Sequence, residues 1–342
     1  MGPEPASAIS GLGRPAHPTI GLLGDVMLGR LVAERLARGR PERVWSDELA
    51  ELCRSCDALV CNLECCISAR GSRTTRLAHK PFFFRAPPAA VDALAAVGVS
   101  AVSLANNHAL DYEAIALTDT LEHLAGAGIA AAGAGADRQK ARQGTVVSAG
   151  GLRLGLLGAT DHPLEYAATV DAPGVAFARL SAGLPEWVAS ELGRLRAEAD
   201  LVVAFLHWGT QMATAPARWQ RKRAGELFAA GADLVAGHAA HVFHGIEPVD
   251  GRLALYDLGD ALDDYAVDPK RRNDLGILAL WHPRTDAELE LVGLELRFCE
   301  TGLAYGSAAD WIAARLERAC AQLGTKPDRV SEQRFAIRPS GG

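Results

Sequence analysis

Short apolar runs alternate along the chain with longer segments in which apolar residues recur at helical spacing. Runs such as 19–25 (TIGLLGD), 58–64 (ALVCNLE) and 200–208 (DLVVAFLHW) are apolar at most positions, which is typical of strands buried on both faces. Further strands are predicted at 99–106, 145–149, 152–160, 232–238, 252–259, 275–282 and 289–298. Helices are predicted near 30–38, 46–55, 88–97, 112–126, 183–198, 216–230 and 308–323. The alternation predicts an α/β fold.

Two stretches depart from strict strand–helix alternation and predict mixed sheets. Only two glycines separate the predicted strands 145–149 and 152–160, as in a hairpin, and EPVDGR at 247–252 contains an Asp-Gly hairpin signal. From 252 onward, three predicted strands follow one another without an intervening helix. We therefore expect sheets that are parallel in part and antiparallel in part.

Both ends of the chain differ in composition from the rest. Residues 1–18 contain four prolines and three glycines, and we expect a flexible N-terminal segment there, one domain over 19–325 and a C-terminal tail over 326–342. No apolar stretch is long enough for a signal peptide or a membrane span, so the sequence predicts a cytoplasmic protein without a membrane partner.

Charge and cysteine content narrow the range of functions further. The net charge is −6 and no run of lysine and arginine offers a basic surface, which argues against a nucleic-acid partner. Five of the seven cysteines crowd into 53–66, but the Cys53–Cys56 pair has no matching second pair at zinc-finger spacing. We interpret these cysteines as packing residues in a reducing compartment.

Polar residues of the kinds that bind metals follow the predicted strands at their carboxyl ends. In open α/β sheets that edge is where ligands bind. Carboxylates and imidazoles together suit divalent Mn, Fe or Zn, and more ligands are present than one ion uses, which predicts a two-metal hydrolytic site. The candidate ligands are Asp25, Glu64, Asn107, His207, His238 and His241.

The segment AGHAAHVFHGIE at 236–247 places three histidines at intervals of three residues. We expect the loop after the strand to turn His238 and His241 toward the same ion. His244 lies further along, and we expect it to support the ligands or to face the substrate.

The same residues belong to motifs that closely resemble those of the CapA family, the poly-γ-glutamate capsule biosynthesis proteins related to the calcineurin-like metallophosphoesterases. The resemblance runs in order over about 19–263. Its motifs are GDVMLGR (24–30), NLE (62–64), HKPFFFRAP (79–87), VSLANNHALDY (102–112), LHWG (206–209), GADLVAGHAAHV (231–242), GIE (245–247) and YDLGD (256–260).

The resemblance implies a metallophosphoesterase-like αββα sandwich, two mixed sheets flanked by helices, with two divalent ions at the strand ends. It implies that Asp25 is the first aspartate ligand, that Glu64 is the bridging acid, and that Asn107, His207, His238 and His241 complete the set. His108 then faces the scissile group, and Asp111 is placed to orient its ring. Arg30, Lys80 and His244 are candidate substrate-binding residues.

The first motif departs from the superfamily pattern Asp-x-His. Met27 stands where the histidine is expected, so one metal ligand is missing or replaced. Asp260 stands where the family usually has Asn, and Gln211 where it usually has Glu.

Three classes of function fit these observations. The first is a two-metal hydrolase that uses a metal-activated water on a small phosphoester or a glutamate-like amide or peptide. The second is a metal-dependent enzyme that modifies a peptide or amino acid in a biosynthetic pathway. The third is a binding or assembly protein that has kept the fold without turnover. In the first two classes the partner is a small-molecule or peptide substrate.

Overall fold

Every strand and helix predicted from the pattern is present in the computed structural model, which describes residues 18–283 and 289–337. The helices are α1 (Arg30–Leu36), α2 (Asp47–Arg54), α3 (Val91–Ala96), α4 (Glu113–Gly126), α5 (Arg138–Arg142), α6 (Glu186–Glu198), α7 (Arg218–Ala229) and α8 (Ser307–Ala321). Short 3-10 helices lie at Pro41–Val44, Pro88–Ala90 and Leu164–Tyr166.

The strands include ten that the apolar pattern does not predict, all of four residues or fewer. In chain order they are β1 (Ile20–Val26), β2 (Ala58–Leu63), β3 (Cys66–Ile67), β4 (Arg85–Ala86), β5 (Val99–Ser103), β6 (Ala130–Ala132), β7 (Ala134–Gly135), β8 (Thr145–Ala149), β9 (Leu152–Thr160), β10 (Gly174–Val175), β11 (Leu201–His207), β12 (Leu234–His238), β13 (Ile246–Val249), β14 (Arg252–Leu255), β15 (Asp260–Leu262), β16 (Leu275–Trp281), β17 (Leu289–Leu296), β18 (Thr301–Leu303), β19 (Asp328–Arg329) and β20 (Arg334–Ile337).

Two mixed sheets form the centre of the fold, as predicted. The larger has ten strands in the order β19-β20-β17-β16-β1-β2-β5-β6, with β15 beside β1 and β18 beside β17. Within it, β1, β2, β5 and β6 are parallel, whereas β16, β17 and β20 run antiparallel. The smaller has six strands in the order β13-β14-β12-β11-β9-β8, parallel except at its two edges.

Successive residues of the apolar strands serve different cores, which explains why these strands show no polar alternation. In β11, Val203 and Phe205 pack between the two sheets, whereas Val202 and Ala204 pack under α6 and α7. The outer face of the larger sheet is covered by α1 to α4 in a third apolar cluster. The layers are therefore helix, sheet, sheet and helix, the αββα arrangement. Helix α8 adds side chains to the core between the sheets, among them Ile312 and Leu316.

Both predicted hairpins are confirmed, and their turns explain the sequence signals. Strands β8 and β9 are joined through Gly150 and Gly151, with φ of 59° and 89°. Strands β13 and β14 are joined through Asp250 and Gly251, with φ of 50° and 74°. Two central residues with positive φ match the twist of the flanking strands, and Gly and Asp tolerate this conformation best.

The C-terminal boundary predicted at 325 is not a boundary in the fold. Strand β20 pairs with β17, and Phe335 and Ile337 are buried in the core between the sheets. The expected tail is therefore part of the domain at least to residue 337. Residues 1–17 and 338–342, which include most of the predicted N-terminal segment, lie outside the described residues. Within the described ranges, no helix is both long and apolar enough to cross a membrane.

Candidate metal centre

The carboxyl ends of parallel strands from both sheets bring the candidate ligands together. Asp25 lies in β1, and Glu64 follows β2 directly in the larger sheet. His207 and His238 end β11 and β12 in the smaller sheet and are paired in register. The site therefore lies where one edge of each sheet meets the other.

Two groups of side chains have ligand atoms within 4.8 Å of one another and could each hold a metal ion. The first, here called the histidine group, consists of Asp25, His207 and His238. The second, here called the carboxylate group, consists of Asp25, Glu64, His241 and Asp260. Asp25 belongs to both groups, so the arrangement is that of two adjacent subsites with one shared carboxylate.

Each oxygen of Asp25 faces one of the two groups. Oδ1 lies 3.3 Å from Nδ1 of His238, which in turn lies 2.9 Å from Nδ1 of His207. Oδ2 lies 3.4 Å from Nδ1 of His241, and that nitrogen is 2.8 Å from Oδ1 of Asp260.

Two expectations about these ligands are corrected by the structure. His238 and His241 belong to different groups, and the backbone between them turns through residues with positive φ, 113° at Ala239 and 60° at His241. The acid common to both groups is Asp25, and Glu64 belongs to the carboxylate group alone. Positive φ in an alanine and a histidine is a strained conformation, of the kind that clusters at functional sites.

Asp260 is a candidate ligand that the sequence analysis did not select, and Met27 is excluded from the site. Met27 is fully buried, and its sulfur accepts a hydrogen bond from the backbone N–H of Gly29 at 3.0 Å. Asp260 lies opposite Asp25 in the parallel β1–β15 pair, and it thereby adds a carboxylate beside the first aspartate. The pairing is long-range, so the only local signal was the departure from the family's usual Asn.

Buried polar atoms without partners show that the groups fit a cation. Among the described residues, one oxygen or nitrogen of each of four candidate ligands is buried without a hydrogen bond: Glu64 Oε1, Asn107 Oδ1, His238 Nε2 and Asp260 Oδ2. Unpaired buried acceptors are costly, and native proteins rarely leave them unused. A cation bound to the two groups would supply a partner for such atoms of Glu64, His238 and Asp260.

The ionisation of the cluster leads to the same conclusion. Burial raises the pKa of Glu64 well above its usual range, and the charge of Asp25 raises it further. Burial also raises the pKa of Asp260. Burial opposes the protonation of His241, yet the charges of Asp260 and Glu64 and a hydrogen bond that His241 donates to Asp25 raise its pKa well above the usual value. These shifts favour the protonated forms of Glu64, Asp260 and His241, and a divalent ion would compete with those protons.

A chain of buried amides connects the metal groups with the turn that carries His108. Nδ2 of Asn62 donates to Oδ1 of Asp25 at 2.7 Å, and Nδ2 of Asn106 donates to Oδ1 of Asn62 at 2.9 Å. Oδ1 of Asn106 accepts from the backbone N–H of His108 at 3.0 Å. Asn62 and Asn106 lie in the NLE and VSLANNHALDY motifs, but nothing in their local pattern indicates that they connect Asp25 with the turn at His108.

His108 and Asp111 lie in direct contact, as their spacing along the chain allows. Nδ1 of His108 lies 2.6 Å from Oδ2 of Asp111, and the ring of Phe84 stacks on the imidazole with the centroids 3.9 Å apart. Asp111 also accepts from the backbone N–H of Phe84 at 2.7 Å and from the hydroxyl of Tyr166 at 3.1 Å. Burial lowers the pKa of His108 to about 4, although Asp111 opposes the shift.

The structure places Lys80 behind this pair and not in the cavity, which corrects its prediction as a substrate-binding residue. Its Nζ lies 3.1 Å from Oδ1 of Asp111 and donates to the backbone oxygen of Asn107 at 2.8 Å. Only 7% of the side chain is exposed. Lys80 therefore holds the turn that carries Asn107 and His108.

His244 is also removed from the substrate-binding set. It is buried, it belongs to neither metal group, and it does not line the cavity beside them. Its Nε2 lies 2.9 Å from the carbonyl oxygen of Ala213, an acceptor, so that nitrogen carries the proton and donates. The residue supports the loop after β12 from within the core.

The cysteines take no part in either group. All seven are free, and burial raises the pKa of the Cys53 and Cys56 thiols to about 12. Within residues 18–283 and 289–337, both metal groups consist of acids and histidines alone. This agrees with the interpretation of the cysteines as packing residues.

A cavity of about 290 Å³ opens beside the centre and gives a substrate access to it. His108 and His241 are among the residues that line it. Phe82 and Phe84 form part of its wall, so the PFFF motif, which from sequence favours a core position, contributes to the site. Arg30 lines the same cavity, as its prediction as a substrate-binding residue requires.

The two facing mixed sheets, the helices on both outer faces and the acid–histidine cluster at the strand ends define a metallophosphoesterase-like αββα sandwich. The model of the family described as bacterial capsule synthesis protein PGA_cap matches residues 19–265, and the chain belongs to this family. The resemblance to CapA found in the sequence is thereby confirmed.

Two relatives agree with this assignment. A probable polyglutamine synthesis accessory protein of Mycobacterium tuberculosis (strain ATCC 25618 / H37Rv) is 33% identical over 370 residues, 94% of this chain and 97% of the relative. The capsule biosynthesis protein CapA of Bacillus anthracis is 28% identical over 251 residues, 72% of this chain and 60% of the relative. Among solved structures, a crystal structure of a hypothetical protein from Thermus thermophilus is similar with a TM-score of 0.42 and 15% identity, covering 83% of this chain and 95% of that chain.

Proposed function

We propose that this protein is a hydrolase that depends on two divalent transition-metal ions and acts on a small phosphoester or on a glutamate-like amide or peptide. The observation that carries the proposal is the pair of metal groups that share Asp25. Two ions held by a common carboxylate are the usual arrangement in hydrolases that cleave such bonds.

His207 and His238 would hold one ion together with Asp25, and Glu64, His241 and Asp260 would hold the other. Asn107 would add its unpartnered Oδ1. Mixed nitrogen and oxygen ligands favour Mn, Fe or Zn over Mg or Ca. When bound, such ions supply Lewis acidity and lower the pKa of a water molecule.

His108 is placed to transfer a proton at its Nε2. A pKa of about 4 keeps the ring neutral at pH 7, and with Asp111 accepting from Nδ1–H, the lone pair lies on Nε2. The neutral ring can take up at Nε2 the proton that the attacking water loses, and Asp111 would stabilise the imidazolium that forms. The imidazolium can then deliver the proton to the leaving group, which typically contributes about 10²–10⁴-fold to the rate.

The resemblance to the poly-γ-glutamate capsule biosynthesis proteins favours a substrate with glutamate-like amide bonds. One relative is named for polyglutamine synthesis and another for capsule biosynthesis. We therefore include γ-glutamyl amides beside phosphoesters as candidate substrates.

The test combines metal analysis with an activity panel. Purified protein incubated with Mn²⁺, Fe²⁺ or Zn²⁺ and then desalted should retain close to two ions per chain by elemental analysis. The loaded protein should hydrolyse a member of a panel of phosphoesters and γ-glutamyl amides. His108→Ala should keep its metal and lose about 10²–10⁴-fold in kcat. A protein that retains no stoichiometric metal under any of these conditions contradicts the proposal.

A further inference from the structure

Arg30 is the only arginine or lysine that lines the cavity beside His108 and His241 in the described part of the chain. Its backbone has a φ of 51°, an uncommon conformation for a residue other than glycine. About a third of its side chain is exposed, so the guanidinium is neither fully buried nor free in solvent.

One side of the guanidinium is held by the protein, and the other is available. Nε of Arg30 lies 3.3 Å from Oδ2 of Asp264, whose side chain is fully buried and also accepts from the backbone N–H of Leu31 at 2.9 Å. Among residues 18–283 and 289–337, the two terminal amino groups of Arg30 have no hydrogen-bond partner. Asp264 therefore fixes the orientation of the group while leaving the fork that binds oxyanions open.

Three aromatic rings surround the guanidinium on the cavity side. The centroids of Phe82, Phe84 and Tyr265 lie 5.6, 5.7 and 6.0 Å from Cζ of Arg30, distances at which a cation is attracted to a ring face. The rings limit the motion of the side chain and present an apolar wall to a ligand.

Two of these rings also separate Arg30 from the reaction centre. Phe84 stacks on His108, and the ring of Tyr265 stands edge-on to His241 with the centroids 5.3 Å apart. Arg30 is thus one ring removed from each histidine. A group bound by Arg30 would therefore lie across these rings from a group bound at the two histidines.

We propose that Arg30 binds a second, non-reacting oxyanion of the substrate, a carboxylate or a phosphate, while an apolar part of the substrate packs against Phe82 and Met212. The substrate class is then a small molecule, or the end of a longer one, that carries an anionic group at a distance from the bond that reacts. A cavity of about 290 Å³ is at the small end of ligand sites and suits such a group. The inference rests on the proposed function in one respect: the metal centre identifies the group that reacts, and Arg30 binds the group that does not react.

The test measures binding of simple probes to the full-length chain by titration calorimetry. Benzoate and phenylphosphonate each carry one oxyanion on a ring, and benzamide has the same shape without the charge. Both anions should bind and benzamide should not, and Arg30→Gln should weaken anion binding roughly 10- to 100-fold, as expected for lost hydrogen bonds to a charged group. The tighter of the two anions identifies the source, carboxylate or phosphate.

Two further variants test whether the effect is specific to Arg30 and to the shape of its guanidinium. Arg73→Gln removes an arginine that lies over the ring of Phe83 at 5.2 Å and does not line the cavity, so its affinities should match the wild type. Arg30→Lys keeps the charge without the planar fork and should fall between wild type and Arg30→Gln. Equal benzoate affinity in wild type and Arg30→Gln, or benzamide binding as tight as benzoate, would overturn the proposal.

Inorganic phosphate with and without Mn²⁺ separates this inference from the proposed function. Phosphate binding that requires Mn²⁺ and is unchanged in Arg30→Gln supports two separate anion positions. Mn²⁺-dependent phosphate binding that falls in Arg30→Gln as steeply as benzoate binding overturns the placement of Arg30 on a second group. Absence of Mn²⁺-dependent phosphate binding counts against the metal centre, whereas the benzoate comparison still decides the role of Arg30.

Discussion

The side chains of this site differ in the number of other site residues that they contact, and Asp25 contacts both metal groups and the amide chain. It contributes one oxygen to each metal group and accepts from Asn62, which begins the amide chain toward His108. His207 and Asp260, by contrast, each belong to one group only. Substitutions at these three positions should therefore have different effects on metal content.

Asp25→Asn should abolish binding of both ions, whereas His207→Ala and Asp260→Asn should each leave close to one ion per chain. The reason is that only Asp25 is common to the two groups. Elemental analysis after loading with Mn²⁺ or Zn²⁺ and desalting measures the content. His244→Gln, which alters a buried histidine outside both groups, should retain two ions. One retained ion in Asp25→Asn would show that the groups do not share it.

His244 also gives the protein a dependence of stability on pH that can be isolated. Burial lowers its pKa from 6.5 to about 4, so the folded state binds fewer protons at this residue than the unfolded state between those values. Its contribution to the free energy of unfolding is therefore complete above about pH 6.5 and falls as the pH drops toward 4, by up to about 3 kcal/mol.

Urea unfolding of wild type and His244→Gln from pH 7.5 to 4 measures this contribution, since the other titrating groups cancel in the difference. The wild type should lose stability relative to the variant as the pH falls through this window. Curves that stay parallel over the whole range would show that His244 does not titrate with a lowered pKa.

At the scale of elements, the position of β1 depends on a close approach of two backbones. A Cβ added to Gly24 would lie 1.8 Å from the carbonyl oxygen of Gly259, and that oxygen accepts from the backbone N–H of Asp25 at 3.1 Å. Gly259 itself has a φ of 73°. The contact places Asp25 opposite Asp260 in the β1–β15 pair. The geometry of the metal groups therefore depends on glycine at position 24.

Gly24→Ala should destabilise the fold by more than about 3 kcal/mol, because the clash is with backbone atoms that cannot change rotamer. Chemical unfolding monitored by circular dichroism measures the change. Gly193→Ala is the matched control: this exposed position in α6 has open space around it, and alanine should stabilise the helix by about 0.5–1 kcal/mol. A Gly24→Ala protein as stable as wild type would contradict the close approach.

The sequence predicted elements well where the signal was local and poorly where it was not. Long apolar strands and helices were predicted to within a few residues, since periodicity and glycine-containing turns specify them. Strands such as β15 and β20 are too short for a periodic signal and form because a neighbouring strand pairs with them. For the same reason Asp260 was not predicted as a ligand. Lys80 lies in an irregular segment, where no periodic pattern indicates which way a side chain faces, and it was predicted as a substrate-binding residue.

On the scale of the whole molecule, the metal groups join the two sheets. Asp25, Glu64 and Asp260 come from strands of the larger sheet or directly follow one. His207 and His238 end strands of the smaller sheet, and His241 follows in the next loop. An ion bound here would connect both halves of the sandwich.

Mn²⁺ should therefore raise the free energy of unfolding of the whole domain, by about 2.7 kcal/mol when its concentration is 100 times the dissociation constant. Chemical unfolding with Mn²⁺ and with a chelator measures the difference. Asp25→Asn should show no such gain, because it lacks the residue common to both groups. An equal gain in this variant would mean that the ion stabilises the protein at another place.

The segment between β3 and β4 has a consequence for how such a protein can diverge. Its ends are paired, Cys66 with Arg85 and Ile67 with Ala86, and it contributes Phe82 and Phe84 to the cavity but no member of a metal group. Mutations accumulating there after gene duplication would alter which molecules are accepted while the reactive groups stay intact. Substrate specificity could thus change through substitutions in this one segment. The main constraints on it are the lysine at position 80 and the backbone amide at position 84, which both contact Asp111.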